Sequence, residues 1–215
     1  MKILIAQPVH EDSISRLEYE IKNNPDINIV LFPEGYLPDE NKLAKACALA
    51  KENHILIITS YRKENKDRAV IIDHKGNKIL ERAKTPPDEK EELINPLSVS
   101  YKNMEIGYLL CMEVLKGVRD FKKVNKRLNF IAHPIGVGMF SEEQFKIWIE
   151  EAKTIAITYK TMIIGTSHAD GSYRNCGISI PISYCIDSDG KPVYISKSDT
   201  RTRIMDFDTK EVIVI

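Results

Sequence analysis

The stretch IVLFPEGYLP, residues 29–38, runs four apolar residues into Pro33 and Glu34 and then breaks at Gly35. An apolar run without alternation is the mark of a strand covered on both faces, whereas a strand with one wet face alternates. A sheet built from such strands needs a layer on each side. The carboxylate at the end of the run is either the chain's return to water or a group held at the sheet edge for its chemistry.

Working outward, the same kind of run recurs at 2–8 (KILIAQP), 27–32 (INIVLF), 54–62 (HILIITSYR), 105–111 (EIGYLLC), 129–134 (NFIAHP) and 161–167 (TMIIGTS). Residues 68–83 read as a hairpin turning at Lys75, Gly76 and Asn77, and 183–196 as a second about Asp189 and Gly190. Helical patterns fill the gaps: 11–23 capped by Asp12 or Ser13, 39–53 opened by Pro38 and Asp39, 113–125, and 141–159. In the last, Ser141 and Gln144 have capping-box spacing. Strand and helix alternate without a low-complexity linker or an internal repeat, so the reading is one domain over 1–215. It is an α/β layered fold with mixed rather than purely parallel sheets.

Composition narrows the function. Lysine and arginine number 31, as do aspartate and glutamate, and no basic run stands out, so nucleic acid is not an expected partner. No segment has the roughly 18 consecutive apolar residues that span a bilayer. The N-terminal MKILIAQPV lacks the apolar region and cleavage site of a signal peptide. The expectation is a cytoplasmic protein with no membrane partner. Cys47, Cys111, Cys176 and Cys185 form no CxxC pair, so neither a zinc site nor a redox motif is expected.

Three polar residues follow strand runs: Glu34, Lys84 and Cys111. Singly, each has a plain explanation as a solvated loop residue or, for the cysteine, a small buried hydrophobe. Together they supply a nucleophile, a base and a cation at the sheet edge where α/β proteins build their sites. A thiol at a strand-to-helix turn has a helix N-terminus and an ammonium to stabilise its thiolate. A half-buried carboxylate can take its proton and pass it to a leaving amine.

On LFPEGYLP, ILERAKTPP and EIGYLLCMEV, taken in order with 50 and 27 residues between the key positions, the chain resembles the nitrilase superfamily of carbon-nitrogen hydrolases. MKILIAQ, IAHP, EEAKTIAITYKTMIIGTS and GISIPISYCIDSDGKPV extend the resemblance over nearly the whole chain. The resemblance implies a four-layer αββα sandwich of mixed sheets, no metal and no organic cofactor. It implies Cys111 as nucleophile on a small amide or nitrile, Glu34 as general base and then acid, and Lys84 with the Met112 backbone N–H at the oxyanion. A supporting glutamate is expected among Asp88, Glu89, Glu91 and Glu92. Glu92 is the choice, lying eight residues after Lys84 and four before Pro96. Tyr36, Glu113 and His133 are candidate substrate contacts, with Glu113 also read as an inward structural carboxylate and His133 as a structural histidine. Arg119, Arg174 and Tyr36 are candidates for meeting a substrate carboxylate. A homodimer or higher homo-oligomer is a further expectation, since relatives pair through helical faces.

The chain departs from the family in its length, with the largest loss expected between Glu34 and Asp39, and in VLKGVRDF after the cysteine. Three other readings stand beside the amidase: a cysteine–histidine hydrolase using His133 or His168, acyl transfer to an amine, and a shortened relic serving as an interaction module. The first leaves Glu34 and Lys84 without a role.

Overall fold

The computed structural model describes every residue except 89 and 173–175, so Glu89 and Arg174 lie outside the described residues. In chain order the strands are β1 (Lys2–Ile5), β2 (Ile29–Leu31), β3 (Leu56–Lys63), β4 (Lys66–Ile72), β5 (Lys78–Ala83), β6 (Ser98–Tyr101), β7 (Met104–Tyr108), β8 (Phe130–Pro134), β9 (Met162–Thr166), β10 (Ile182–Ile186), β11 (Pro192–Lys197), β12 (Arg203–Asp206) and β13 (Val212–Val214). The α-helices are α1 (Ser15–Asn23), α2 (Glu40–Asn53), α3 (Val114–Asp120) and α4 (Glu142–Tyr159).

These strands make two mixed sheets. One has the order β13-β12-β1-β2-β3-β4-β5 and the other β11-β10-β9-β8-β7-β6. β1, β2 and β3 are parallel at the centre of the first, as β7, β8 and β9 are in the second. The two-residue period of each strand divides its apolar run between two cores. Ile3, Ile29, Leu31 and Ile58 meet Ile106, Phe130, Ala132 and Ile164 between the sheets. Leu4, Val30 and Ile57 face Leu17, Leu43 and Ala46 of α1 and α2. On the far side, Ile131 and Ile163 face Trp148, Ala152 and Ile155 of α4. Four layers, αββα, follow directly from strands that are apolar on both faces.

Local signals account for most boundaries. Asp39 caps α2 by accepting from the Lys42 N–H at 2.8 Å, and Ser141 caps α4 by accepting from Gln144 N at 3.1 Å. The Gln144 side chain reaches one residue further back than a capping box would, to the Phe140 N–H at 2.7 Å. The helix expected at 11 begins at Ser15. Glu11 accepts from Arg16 N and Ser13 Oγ accepts from Ser15 N, so residues 11–14 serve as the cap rather than the first turn. The segment 113–125 breaks into a 3₁₀ turn at Cys111–Glu113, then α3, then a second 3₁₀ turn at Phe121–Lys123.

Two reversals at β4 and β5 return the chain to the direction of β2, so residues 34 and 84 leave the same edge of the first sheet. β7 delivers residue 111 from the facing sheet.

Candidate active site

Glu34, Lys84 and Cys111 come together between the two sheet edges. Glu34 is 6% exposed and its Oε1 lies 2.6 Å from Lys84 Nζ. The Cys111 thiol is near enough to the Glu34 carboxylate for each to shift the other's protonation. The backbone on either side of the Glu34 side chain is pinned. Glu34 N donates to Ile135 O at 3.2 Å, and Gly35 N to Ser60 Oγ at 2.5 Å. His168 Nε2 donates to Glu34 O at 3.0 Å. A Cβ on Gly136 would lie only 2.7 Å from Glu34 Oε2, so the carboxylate occupies space that a side chain there would fill. Gly35 itself has φ +73°, a turn that favours glycine.

Cys111 sits at φ +54°, in the left-handed region where a non-glycine residue is strained by about 1 kcal/mol or more. Its neighbours hold it there. Glu113 Oε2 accepts the Leu110 N–H at 2.7 Å, and Glu113 Oε1 accepts the Thr85 N–H at 2.8 Å. The same carboxylate takes Arg82 bidentately, at 2.7 and 2.5 Å, with both side chains almost wholly buried. One ion pair therefore clamps the residue before the cysteine to the residue after the lysine. On the other side, His133 Nε2 donates to Cys111 O at 2.7 Å, which leaves Nδ1 to accept from the Tyr184 hydroxyl. Met112 N–H, inside the first turn, has no acceptor in that turn.

Electrostatics set the resting protonation. Burial pushes the Cys111 thiol up to about 12, and the nearby Glu34 adds to this, while Lys84 and the Gly136 N–H oppose it. Cys111 is thus a neutral thiol at rest, not the thiolate expected from a helix N-terminus. Burial raises Glu34 above the usual carboxylate range, Lys84 pulls it down and Asp67 raises it further. Lys84 stays a firm ammonium: burial works against its charge, but the Glu34 carboxylate, and the Cys111 sulfur once it is a thiolate, outweigh that and raise it.

A cavity of about 710 Å³ opens beside this group, lined by Asp67, Ala83, Lys84, Pro86, Met112 and Leu115 among others. Lys84 is both a wall of the cavity and the partner of Glu34. Pro86, on the outer wall, is pinned by Lys116, whose Nζ donates to the carbonyls of Pro86, Asp88 and Glu91.

Several expected site residues stand elsewhere. Glu92 is 68% exposed and paired with Lys123, because the Lys116 clamp carries its loop outward. Tyr36 is buried under α1, donating to Glu11 Oε1 and accepting from Leu17 N, so it offers nothing to a substrate. Glu113 borders the cavity, but Arg82, Thr85 and Leu110 occupy its oxygens. His133 is fully buried beneath the cysteine, stacked on Trp148 at 5.7 Å. Arg119 lines the cavity while bonded to Asp120 and Glu91 O. The reading of the sequence did not find Arg82, Asp67 or Gly136, whose places depend on which strands become neighbours.

Among the described residues, His10, His168 and Asp170 are the group that could hold a metal ion. The two imidazoles are stacked 3.8 Å apart and 12° from parallel, so their in-plane lone pairs run alongside each other rather than converging. Asp170 Oδ1 instead accepts from the His10 backbone N–H and faces its Nδ1 at 2.9 Å.

No protein-family model and no curated sequence matches the chain. Solved structures do. A carbon-nitrogen hydrolase from Helicobacter pylori G27 superposes with TM-score 0.75 at 16% identity, over 98% of this chain and 90% of that one. An amidase from Nesterenkonia sp. AN1 gives 0.74 at 13%, over 95% and 89%. Nit3 of Saccharomyces cerevisiae, a member of branch 10 of the nitrilase superfamily, gives 0.72 at 14%, over 97% and 90%. The two mixed sheets and their flanking helices are therefore the αββα fold of the nitrilase-type carbon-nitrogen hydrolases.

Proposed function

We propose that this chain is a carbon-nitrogen hydrolase of the amidase type, cleaving a small linear amide through a thioester at Cys111 and releasing ammonia or an amine. The observation that carries the reading is the Glu34–Lys84 ion pair gathered with the Cys111 thiol, which sits at a strained elbow beside an open cavity. The αββα fold shared with carbon-nitrogen hydrolases supports it.

Each group then has a step. Cys111 Sγ attacks the amide carbon as its proton passes to Glu34, whose burial makes it a stronger base than a free carboxylate. The carbonyl π pair moves onto oxygen, where the Lys84 ammonium and the Met112 N–H receive it. Each such donor is worth about 2.7–4 kcal/mol of barrier in a dry site. The intermediate collapses by breaking C–N, and Glu34 returns the proton to the leaving nitrogen. Water, deprotonated by Glu34, then attacks the thioester and releases the acid and the free thiol.

The test is ammonia release from a panel of small amides, comparing the native chain with Cys111→Ala. Acrylamide, held in complex by a double mutant of the Nesterenkonia amidase, belongs in that panel. Turnover by the native chain that disappears in the variant is the expected result. Equal rates in both would remove Cys111 from the reaction.

A further inference from the structure

The register of the first sheet places a residue that the reaction above leaves without a role. β3 pairs with β4 so that Arg62 faces Asp67, and β4 pairs with β5 so that Arg68 faces Ala83. One step further along, Lys84 N donates to Asp67 O at 3.0 Å, so Arg62, Asp67 and Lys84 form a cross-strand row on one face. Residues directly opposite in an antiparallel pair have Cβ atoms about 4.5–5.5 Å apart, within easy reach of a lysine.

Asp67 lines the cavity. Its Oδ1 is buried and accepts no hydrogen bond, and the nearest cation is Arg62, with Nε at 3.4 Å. That oxygen packs toward Gly35, where an added Cβ would lie 3.5 Å away, so Asp67 is next to the residue that follows the base. Lys84 rests on Glu34 at 2.6 Å. The ammonium is therefore paired with one carboxylate and has a second, Asp67, on the neighbouring strand within a lysine's reach, and the proposed reaction removes the charge of the first. Once Glu34 holds the thiol proton, its hold on Lys84 weakens just when the ammonium must face the new oxyanion.

Resting on that reading of the site, we infer that Asp67 is a positioning residue: it retains the Lys84 ammonium at the cavity wall during the half of the cycle in which Glu34 is protonated. The charges balance. Glu34 and Asp67 with Lys84 sum to one negative charge at rest. After proton transfer Glu34 is neutral, the oxyanion carries the charge it lost, and Asp67 and Lys84 are unchanged. The carboxylate in the row keeps the lysine from swinging into solvent, and Arg62 keeps Asp67 in line.

The test uses Glu34→Gln as a stand-in for the protonated base and needs no substrate. In a crystal structure of that variant, Lys84 Nζ should lie within about 4 Å of an Asp67 carboxylate oxygen, the distance of an ion pair. In the double variant with Asp67→Asn it should leave that position. A Lys84 that turns to solvent in Glu34→Gln, or that holds the same place in the double variant, overturns the proposal.

Kinetics give an independent readout. Asp67→Asn, which keeps the shape and the backbone ladder, should lower kcat roughly ten-fold or more while KM stays within about two-fold, with partial rescue by Asp67→Glu. An unchanged kcat, or a loss confined to KM, would also overturn it. If the native chain hydrolyses no amide while Lys84 still moves onto Asp67 in Glu34→Gln, the hydrolase reading fails and the placement of Lys84 by Asp67 stands.

Discussion

At the scale of single residues, the account turns on a thiol kept neutral by burial and on the carboxylate that relieves it. Glu34 and Lys84 push the Cys111 thiol in opposite directions, so their removal should too. In Glu34→Gln the anion is gone and the ammonium remains, so the pH profile of Cys111 alkylation should move to lower pH. In Lys84→Ala it should move to higher pH. Peptide mapping after iodoacetamide treatment at a series of pH values reads both shifts, with Cys47, Cys176 and Cys185 in the same sample as controls. Hydrolysis separates the two effects: Glu34→Gln should lose at least about a hundred-fold in rate even though its thiol ionises more easily, because the proton transfer is lost. Gly136→Ala gives a steric counterpart. Its Cβ would press on Glu34 Oε2, so activity should fall sharply while the unfolding temperature changes little, since Gly136 needs no left-handed backbone.

Among elements, the Arg82–Glu113 pair is the clamp between β5 and the turn that carries Cys111. Both charges are buried, so deleting one leaves the other uncompensated, a loss of about 3–5 kcal/mol in comparable pairs. Glu113→Ala should accordingly lower stability by about that amount in urea unfolding and also misplace Cys111. A variant as stable as the native chain would contradict the clamp. This element was half legible in sequence. Strands covered on both faces write themselves as unbroken apolar runs, so β2, β7, β8 and β9 could be read directly, and with them the ends that carry Glu34 and Cys111. β6 could not, because SVSY is a short edge strand with no apolar run. Arg82 and Asp67 owe their roles to register across neighbouring strands, which a linear pattern does not encode. Glu92 was assigned by its distance along the chain, while its real position follows from a loop held by Lys116 and from the ion pair with Lys123.

For the whole molecule, burial of ionisable groups predicts an acid-side loss of stability with a definite sign. Burial holds both His133 and His168 down to about 4, so the folded chain resists protons that the unfolded chain accepts below about 6.5. Their contribution is complete above that pH and is lost as pH falls from about 6.5 to about 4. Glu113 acts lower. Burial works against its charge, but Arg82 and the N–H groups of Thr85 and Leu110 prevail and hold it below its ordinary 4.5, so its contribution disappears as pH drops below that value. Thermal unfolding followed between pH 7 and 3 should show a falling midpoint across both windows; a flat midpoint from 7 to 4 would contradict the neutral, buried histidines. The chain also spans about nine-tenths of the length of the solved structures it matches. Among the described residues, no helix is long and apolar enough to cross a membrane.

The measurement closest to the central claim is mass mapping of the chain after acid quenching during turnover of a small amide. The account predicts an acyl group, of substrate mass less ammonia, on the Cys111 peptide, and none on Cys47, Cys176 or Cys185. Ammonia release without any adduct on Cys111, or an adduct on exposed Cys176 in its place, would contradict it.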